Sequence, residues 1–157
     1  MHTQKNIGRF WLYGLYMAVA LIMLVDFVLP GKVYVSEVTN VTKTRQQYYN
    51  AAGNYHYSYR VFTKAHSFPV SAEFAETLKE PSQITYTVSI LFKEINRYGS
   101  PGVKPGNMYS LRLFSGMVLP IVAIAVMGMA RTRRKRIGTL IFIIQVFLIA
   151  NTIFLVY

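Results

Sequence analysis

The sequence predicts an α+β membrane protein, with three transmembrane α-helices and a small antiparallel β domain inserted between helices 1 and 2. Three observations lead there. Apolar residues make up 53% of the 157 residues and charged ones only 15%, where a soluble globular chain carries roughly a quarter charged. The apolar residues gather at the two ends, in three runs long enough to cross a bilayer. The polar middle instead alternates with the period of two that marks strands.

Residues 1–9 form a polar tail with Lys5 and Arg9. Helix 1, residues 10–30, holds an apolar run from Phe10 to Leu29 with one charge, Asp26, near its far end. At 1.5 Å per residue such a run spans about 30 Å, the thickness of the hydrocarbon core. Pro30-Gly31 ends it, since proline cannot continue the helical hydrogen-bond ladder. A cleavable signal peptide is the rival reading, with Ala18-Val19-Ala20 as its small-x-small site. The apolar run continues past that site through Val25, which favours an uncleaved signal anchor.

Residues 31–110 are read as the β domain. Val33–Val38 is rich in β-branched residues. Tyr55–Phe62 puts Tyr55, Tyr57, Tyr59 and Val61 on one face, and Ile84–Ile90 turns Ile84, Tyr86, Val88 and Ile90 inward. Asn50–Asn54 reads as a hairpin connection and His66–Val70 as a short strand. Ser71–Leu78 reads as a brief helix capped by Ser71, with Phe74 and Leu78 facing inward. Gly99–Asn107, with three glycines and two prolines, reads as a linker. The expectation is a sheet of about four strands.

Helix 2, residues 111–130, holds the uncharged run Leu113–Ala130, which Arg112 precedes, and contains Pro120, which is expected to kink it. Helix 3, residues 137–157, is uncharged. Between them the turn 131–136 carries Arg131, Arg133, Arg134, Lys135 and Arg136. Lysine and arginine concentrate in cytoplasmic loops, so the turn and the N-terminal tail are placed in the cytoplasm. Residues 31–110 and the C-terminus are then extracytoplasmic. The location implied is a multi-pass protein of a plasma membrane, the bacterial inner membrane.

Seventeen basic residues against six acidic ones give a net charge of +11, which calls for an anionic partner. Phospholipid headgroups in the bilayer are the first candidate, held by the basic turn, which is locked to the membrane surface. That placement also argues against nucleic acid. Asp26 and Arg112 fall at matching depths and either pair with each other or are solvated separately in the headgroup layer. Gly116, Ala123 and Ala130 on helix 2, and Gly138, Gln145 and Thr152 on helix 3, recur every seven residues. Small residues allow close backbone approach and the polar ones can bond across it, so these faces are expected to pack together or against a partner subunit. A polar pathway past Gln145 and Asn151 is the alternative.

The absence of cysteine excludes disulfides, thiol nucleophiles and thiolate metal sites. His56 and His66 lack any metal-ligand spacing, and no nucleophile elbow, phosphate loop or dinucleotide fingerprint is present. Glu73 and Glu76 share one face of a short helix and read as solvated. No cofactor, metal site or catalytic residue is therefore expected, nor enzymatic activity. Nine tyrosines lie within 31–110, five of them between Tyr48 and Tyr59. Interleaved with basic residues they suit either cross-strand pairing or a ligand or partner surface.

The Asp26-Phe27-Val28-Leu29-Pro30 exit, the Arg45-Gln46-Gln47-Tyr48-Tyr49 stretch and Ile90-Leu91-Phe92-Lys93-Glu94-Ile95-Asn96 resemble those of uncharacterised small bacterial inner-membrane proteins. In these, a signal anchor leads to a short extracytoplasmic β domain and further transmembrane helices. The resemblance covers residues 10–98 and implies location only. Two functions are compatible with the residues: an accessory or scaffolding subunit that binds a membrane or envelope protein or forms a homo-oligomer, and a small subunit of a transport system.

Overall fold

The computed structural model describes residues 2–47, 55–78, 81–102 and 104–156, for 2–7, 9, 10 and 131–136 the backbone alone. The chain forms two compact units. One comprises Met1–Pro30, Ile90–Phe92 and Leu111–Tyr157; the other comprises Gly31–Ser89 and Lys93–Ser110.

The first unit is helical. Helix α1 runs His2–Val28, so the polar tail continues the helix instead of hanging from it. After a short α3 (Ser110–Leu113) comes a π-helical turn, Phe114–Val118, and then α4 from Leu119 to Val156. Three stretches, Trp11–Val28, Ser110–Ala130 and Ile137–Val156, are long and apolar enough to cross a membrane. The backbone of α4 is helical straight through the basic segment, where the sequence suggests a loop. Yet a straight helix would hold Ser115 and Asn151 about 54 Å apart, and these residues are hydrogen-bonded at 2.9 Å. The helical path must therefore double back between Ala130 and Ile137, and Arg133 is the midpoint of the Ser115–Asn151 pair. Ser110–Ala130 and Ile137–Val156 are thus brought side by side.

The core of this unit joins Ala20 and Met23 of α1 to Ala123, Val126, Met127 and Ala130, and to Ile141, Ile144, Leu148 and Leu155. On each helix the spacing of three and four residues marks a single buried stripe. The opposite faces carry exposed apolar side chains, Trp11 and Phe142 among them. This is the outward surface expected of helices whose solvent is lipid.

The second unit is a curled antiparallel sheet of five strands in the order β3-β2-β1-β4-β5. They are β1 Lys32–Gln47, β2 Tyr55–Thr63, β3 Ser67–Val70, β4 Gln83–Val88 and β5 Ile95–Gly99. Strand β1 serves two neighbours in turn: Lys32–Glu37 pairs with β4, and Val38–Gln47 pairs with β2 across an irregularity at Val38/Asn40. Helix α2, Ala72–Thr77, starts at Ser71, whose hydroxyl accepts the Phe74 N–H. The core gathers Val38, Val61, Phe68, Val70, Phe74, Ile84, Tyr86, Val88 and Tyr98. The expected inward faces hold at Val61 and at Ile84, Tyr86 and Val88.

The structure departs from the expectation at four places. The sheet has five strands, because Ile95–Gly99 pairs with β4; interrupted by Asn96, Arg97 and Gly99, this segment carries little apolar signal. Ile90 is exposed and lies beyond the end of β4, in the first unit. Leu78 is only partly buried, at the helix C-cap. The Gly99–Asn107 stretch is no free linker: Asn107 exchanges two main-chain hydrogen bonds with Tyr98, at 2.9 and 3.0 Å. The hairpin connection placed at Asn50–Asn54 lies outside the described residues.

Candidate functional site

In the helical unit, one buried polar cluster draws on all three apolar stretches. Asp26 of α1 is 1% exposed and Arg112 of α3 5% exposed. Arg112 Nη2 lies 3.4 Å from Asp26 Oδ2, and the guanidinium sits 5.6 Å from the centre of the Phe27 ring. The other carboxylate oxygen, Oδ1, accepts the main-chain N–H of Leu91 at 2.7 Å. Asp26 is thus anchored twice, by a cation and by a main-chain donor, as a charge withdrawn from water requires.

Beside this pair, the Ser115 hydroxyl donates to the Arg112 carbonyl at 3.2 Å. Asn151 Nδ2 donates to the Ser115 carbonyl at 2.9 Å and approaches the Met23 sulfur at 3.5 Å. The sequence explains why that carbonyl needs a side-chain donor. In the π turn the Leu119 N–H bonds the Phe114 carbonyl, five residues back. The next residue, Pro120, which would serve Ser115 in the same pattern, has no N–H to give.

Gly116 packs against Phe27 so closely that a Cβ would run into the ring, and Ala123 lies in the core. The other expected packing positions differ in their surroundings, Gln145 and Thr152 being half-buried. Gly138 is exposed, with nothing within 4 Å of an added Cβ. Thr152 returns its hydroxyl to the Leu148 carbonyl of its own helix at 2.7 Å. The buried Nε2 of Gln145 has no hydrogen-bond partner among the described residues. The seam on the last helix runs through Ile141, Ile144, Leu148, Asn151 and Leu155, because branched apolar residues fill the space better than a heptad of small and polar ones. The side chains of Arg131, Arg133, Arg134, Lys135 and Arg136 lie outside the described residues.

In the sheet unit, the candidate surface is the part of the β1–β2 hairpin that extends past the core. Register pairs Lys43 with Tyr59, Arg45 with Tyr57 and Gln47 with Tyr55; residues directly opposite in an antiparallel pair share a face. The same face carries Val41 opposite Val61, so it continues the core outward. Tyr55 and Tyr57 are 48% and 42% exposed. The Lys43 ammonium sits 4.2 Å from the centre of the Tyr57 ring and 5.4 Å from that of Tyr59, and the Arg45 guanidinium 4.0 Å from that of Tyr55. The cations are therefore held in place by ring faces. Hydrogen bonding with Tyr59 raises Lys43 above the ordinary lysine value, with smaller contributions from the charges of Tyr59, Tyr57 and Glu76.

His66 takes a structural position. Its Nδ1 lies 3.0 Å from the hydroxyl of the buried Tyr86, which also meets Thr63 Oγ1 at 3.4 Å, and Tyr34 stacks on Tyr86 with centroids 5.6 Å apart. Among the described residues, no three of His, Asp and Glu converge as a metal site would need.

Spacing alone already puts Tyr55, Tyr57 and Tyr59 on one face, but the partnership with Lys43 and Arg45 depends on register across the hairpin. Sequence reasoning misses Ser115 and the bond that Asn151, read there only as part of a polar pathway, makes to it; the signal is Pro120 standing five residues after Ser115. Comparison with protein-family models, with curated proteins and with solved structures finds no match for this chain.

Proposed function

We propose that the chain is an accessory or scaffolding subunit of a cell membrane, which holds its sheet unit outside the cytoplasm to engage a protein partner. The observation that carries this reading is the β1–β2 hairpin, whose cation-bearing face runs on beyond the core with Tyr55 and Tyr57 still exposed. Side chains that only built the fold would be expected to end up covered, as Tyr86 and Tyr98 are. Asp26 bonds to Arg112 and Leu91 and Asn151 to Ser115, and Gln145 Nε2 is the one buried polar atom named above without a partner among the described residues. That favours an anchor over a transport pathway. The orientation rests on the excess of lysine and arginine at 131–136.

The test uses single cysteines, since the chain has none. One replaces the exposed Thr44 of the hairpin and one replaces Thr132, and intact cells are treated with a membrane-impermeant thiol reagent. Labelling at 44 and not at 132 is the expected result; the reverse would overturn the orientation. A photo-crosslinker at Tyr57 in native membranes should then trap a defined partner, and recovery of the uncrosslinked chain alone would overturn the accessory role.

A further inference from the structure

The chemistry of the hairpin face is specific enough to name what it takes. Between Glu37 and Glu73 the sequence has no acidic residue, while Lys43, Arg45, Arg60 and Lys64 are all basic. Two of these cations, Lys43 and Arg45, stand on the tyrosine face two residues apart. In a strand, that interval is about 6.7 Å. It is also the interval between alternate side chains of any other extended chain, so an extended segment laid alongside can match both cations in register.

We propose that the Lys43–Arg45–Tyr55–Tyr57 face is the docking surface for an acidic, extended segment of a partner protein. The inference rests on the accessory reading above and names the chemistry of that partner. Three observations favour a peptide over other anions. Lys43 and Arg45 occupy tyrosine ring faces that a stacked sugar or base would need. Cations pinned on rings have lost much of the rotamer freedom that otherwise opposes surface ion pairing. Along Thr42–Gln47, β2 is the only strand among the described residues that pairs with β1, which leaves a strand edge where an extended chain can add.

The test measures binding of short synthetic peptides to the full-length protein in detergent. The first probe alternates glutamate and threonine, the second has the same composition with its glutamates in one block, and the third alternates lysine and threonine. The alternating acidic peptide should bind best and weaken as salt is raised. Lys43→Glu with Arg45→Glu should weaken it about tenfold or more, the size of two exposed charge pairs, and should turn preference toward the lysine peptide. Tyr57→Ala, which removes the ring under Lys43, should weaken binding without reversing preference. An unchanged thermal transition in each variant shows that the sheet still folds.

Equal binding of the block peptide, or tighter binding of polyphosphate or of phosphatidylglycerol vesicles, would overturn the proposal in favour of a general anion or lipid surface. A partner crosslinked at Tyr57 whose contacting segment lacks acidic residues would overturn this inference and leave the accessory role intact. Absence of both crosslinking and peptide binding would end both.

Discussion

Asn151 donates its side-chain N–H to the main-chain carbonyl of Ser115, 2.9 Å away, and so fills a gap in the helix ladder that Pro120 creates. The π turn Phe114–Val118 and this cross-helix bond have one cause. A proline inside a helix leaves carbonyls of the preceding turn without donors, and in an apolar surround neighbouring helices supply replacements. Here the replacement also ties the last helix to the second and so sets the register of the hairpin.

Asn151→Leu should therefore destabilise the protein by about 0.5–2 kcal/mol, the range found for hydrogen bonds between apolar helices in a membrane. In a Pro120→Ala background, where residue 120 regains an N–H, the same change should cost much less. A double-mutant cycle on thermal unfolding in detergent reads the coupling. Equal cost in both backgrounds would show that Pro120 is not the reason for the bond.

Asp26 and Arg112 invite a charge swap, but the second bond of Asp26 limits what a swap can restore. Removing one partner of a buried pair costs about 3–5 kcal/mol, so Asp26→Leu and Arg112→Leu should each strongly reduce the yield of folded protein. The swap Asp26→Arg with Arg112→Asp rebuilds the ion pair yet presents donors to the Leu91 N–H, which needs an acceptor. It should rescue only in part. Asp26→Asn keeps an acceptor for Leu91 and loses the charge, so its loss should be smaller than that of Asp26→Leu. Full rescue by the swap would mean that the Leu91 contact contributes nothing.

The three long apolar stretches, the Ser71 cap and the faces of Val61 and of Ile84, Tyr86 and Val88 could be read from the sequence because each depends on residues near in the chain. What could not be read depends on pairing at a distance. Strand β1 runs to Gln47 through Asn40-Val41-Thr42-Lys43-Thr44-Arg45, a stretch too polar to show alternation, and it is a strand because β2 pairs with it. Likewise β5 is held by β4. Of the seven-residue stripe Gly138, Gln145 and Thr152, Gly138 is exposed, and the apolar core of that helix lies at Ile141, Ile144 and Leu148, which a search for small and polar residues passes over. The cation–tyrosine face lies between: the tyrosines could be read, and their cations required the register.

Gly31 enters the sheet beside β4, where a Cβ would run into the main-chain carbonyl of Val88. Backbone there is held by the Lys32–Val88 pairing and cannot step aside as a flexible side chain would. Gly31→Ala should cost about 1–3 kcal/mol, as overpacking does, and lower the unfolding temperature of the full-length protein. An unchanged transition would show that the strands can separate there without loss.

Tyr86→Phe removes one hydroxyl from the contact with His66 Nδ1 and Thr63 Oγ1 and leaves the ring between Tyr34 and Phe68. The loss should be about 1 kcal/mol, the net worth of a hydrogen bond. Tyr86→Ala, which also empties the core of a fully buried ring, should cost about 3–5 kcal/mol, as for other large aromatic truncations. Comparable losses for the two variants would mean that the hydroxyl, and not the ring, holds this part of the sheet.

Lys43 gives the hairpin face a signature that can be measured without a partner. Hydrogen bonding with Tyr59 favours the ammonium, so the folded protein holds this proton above the ordinary 10.5. The stabilisation linked to that raised value is fully present below the unfolded value and is lost as pH rises through the folded one. Between pH 6 and 9 the Lys43 charge is therefore constant, and binding of an acidic peptide should not vary over that range through this residue. In an NMR titration of the lysine side chains, Tyr59→Phe should bring the Lys43 midpoint back toward 10.5, since the hydroxyl that favours the ammonium is gone. Tyr55→Phe, which leaves Tyr59 and Tyr57 intact, should not move it. If neither substitution shifts the midpoint, the ammonium is not held by Tyr59, and Lys43 is an ordinary solvated lysine that happens to lie over a ring.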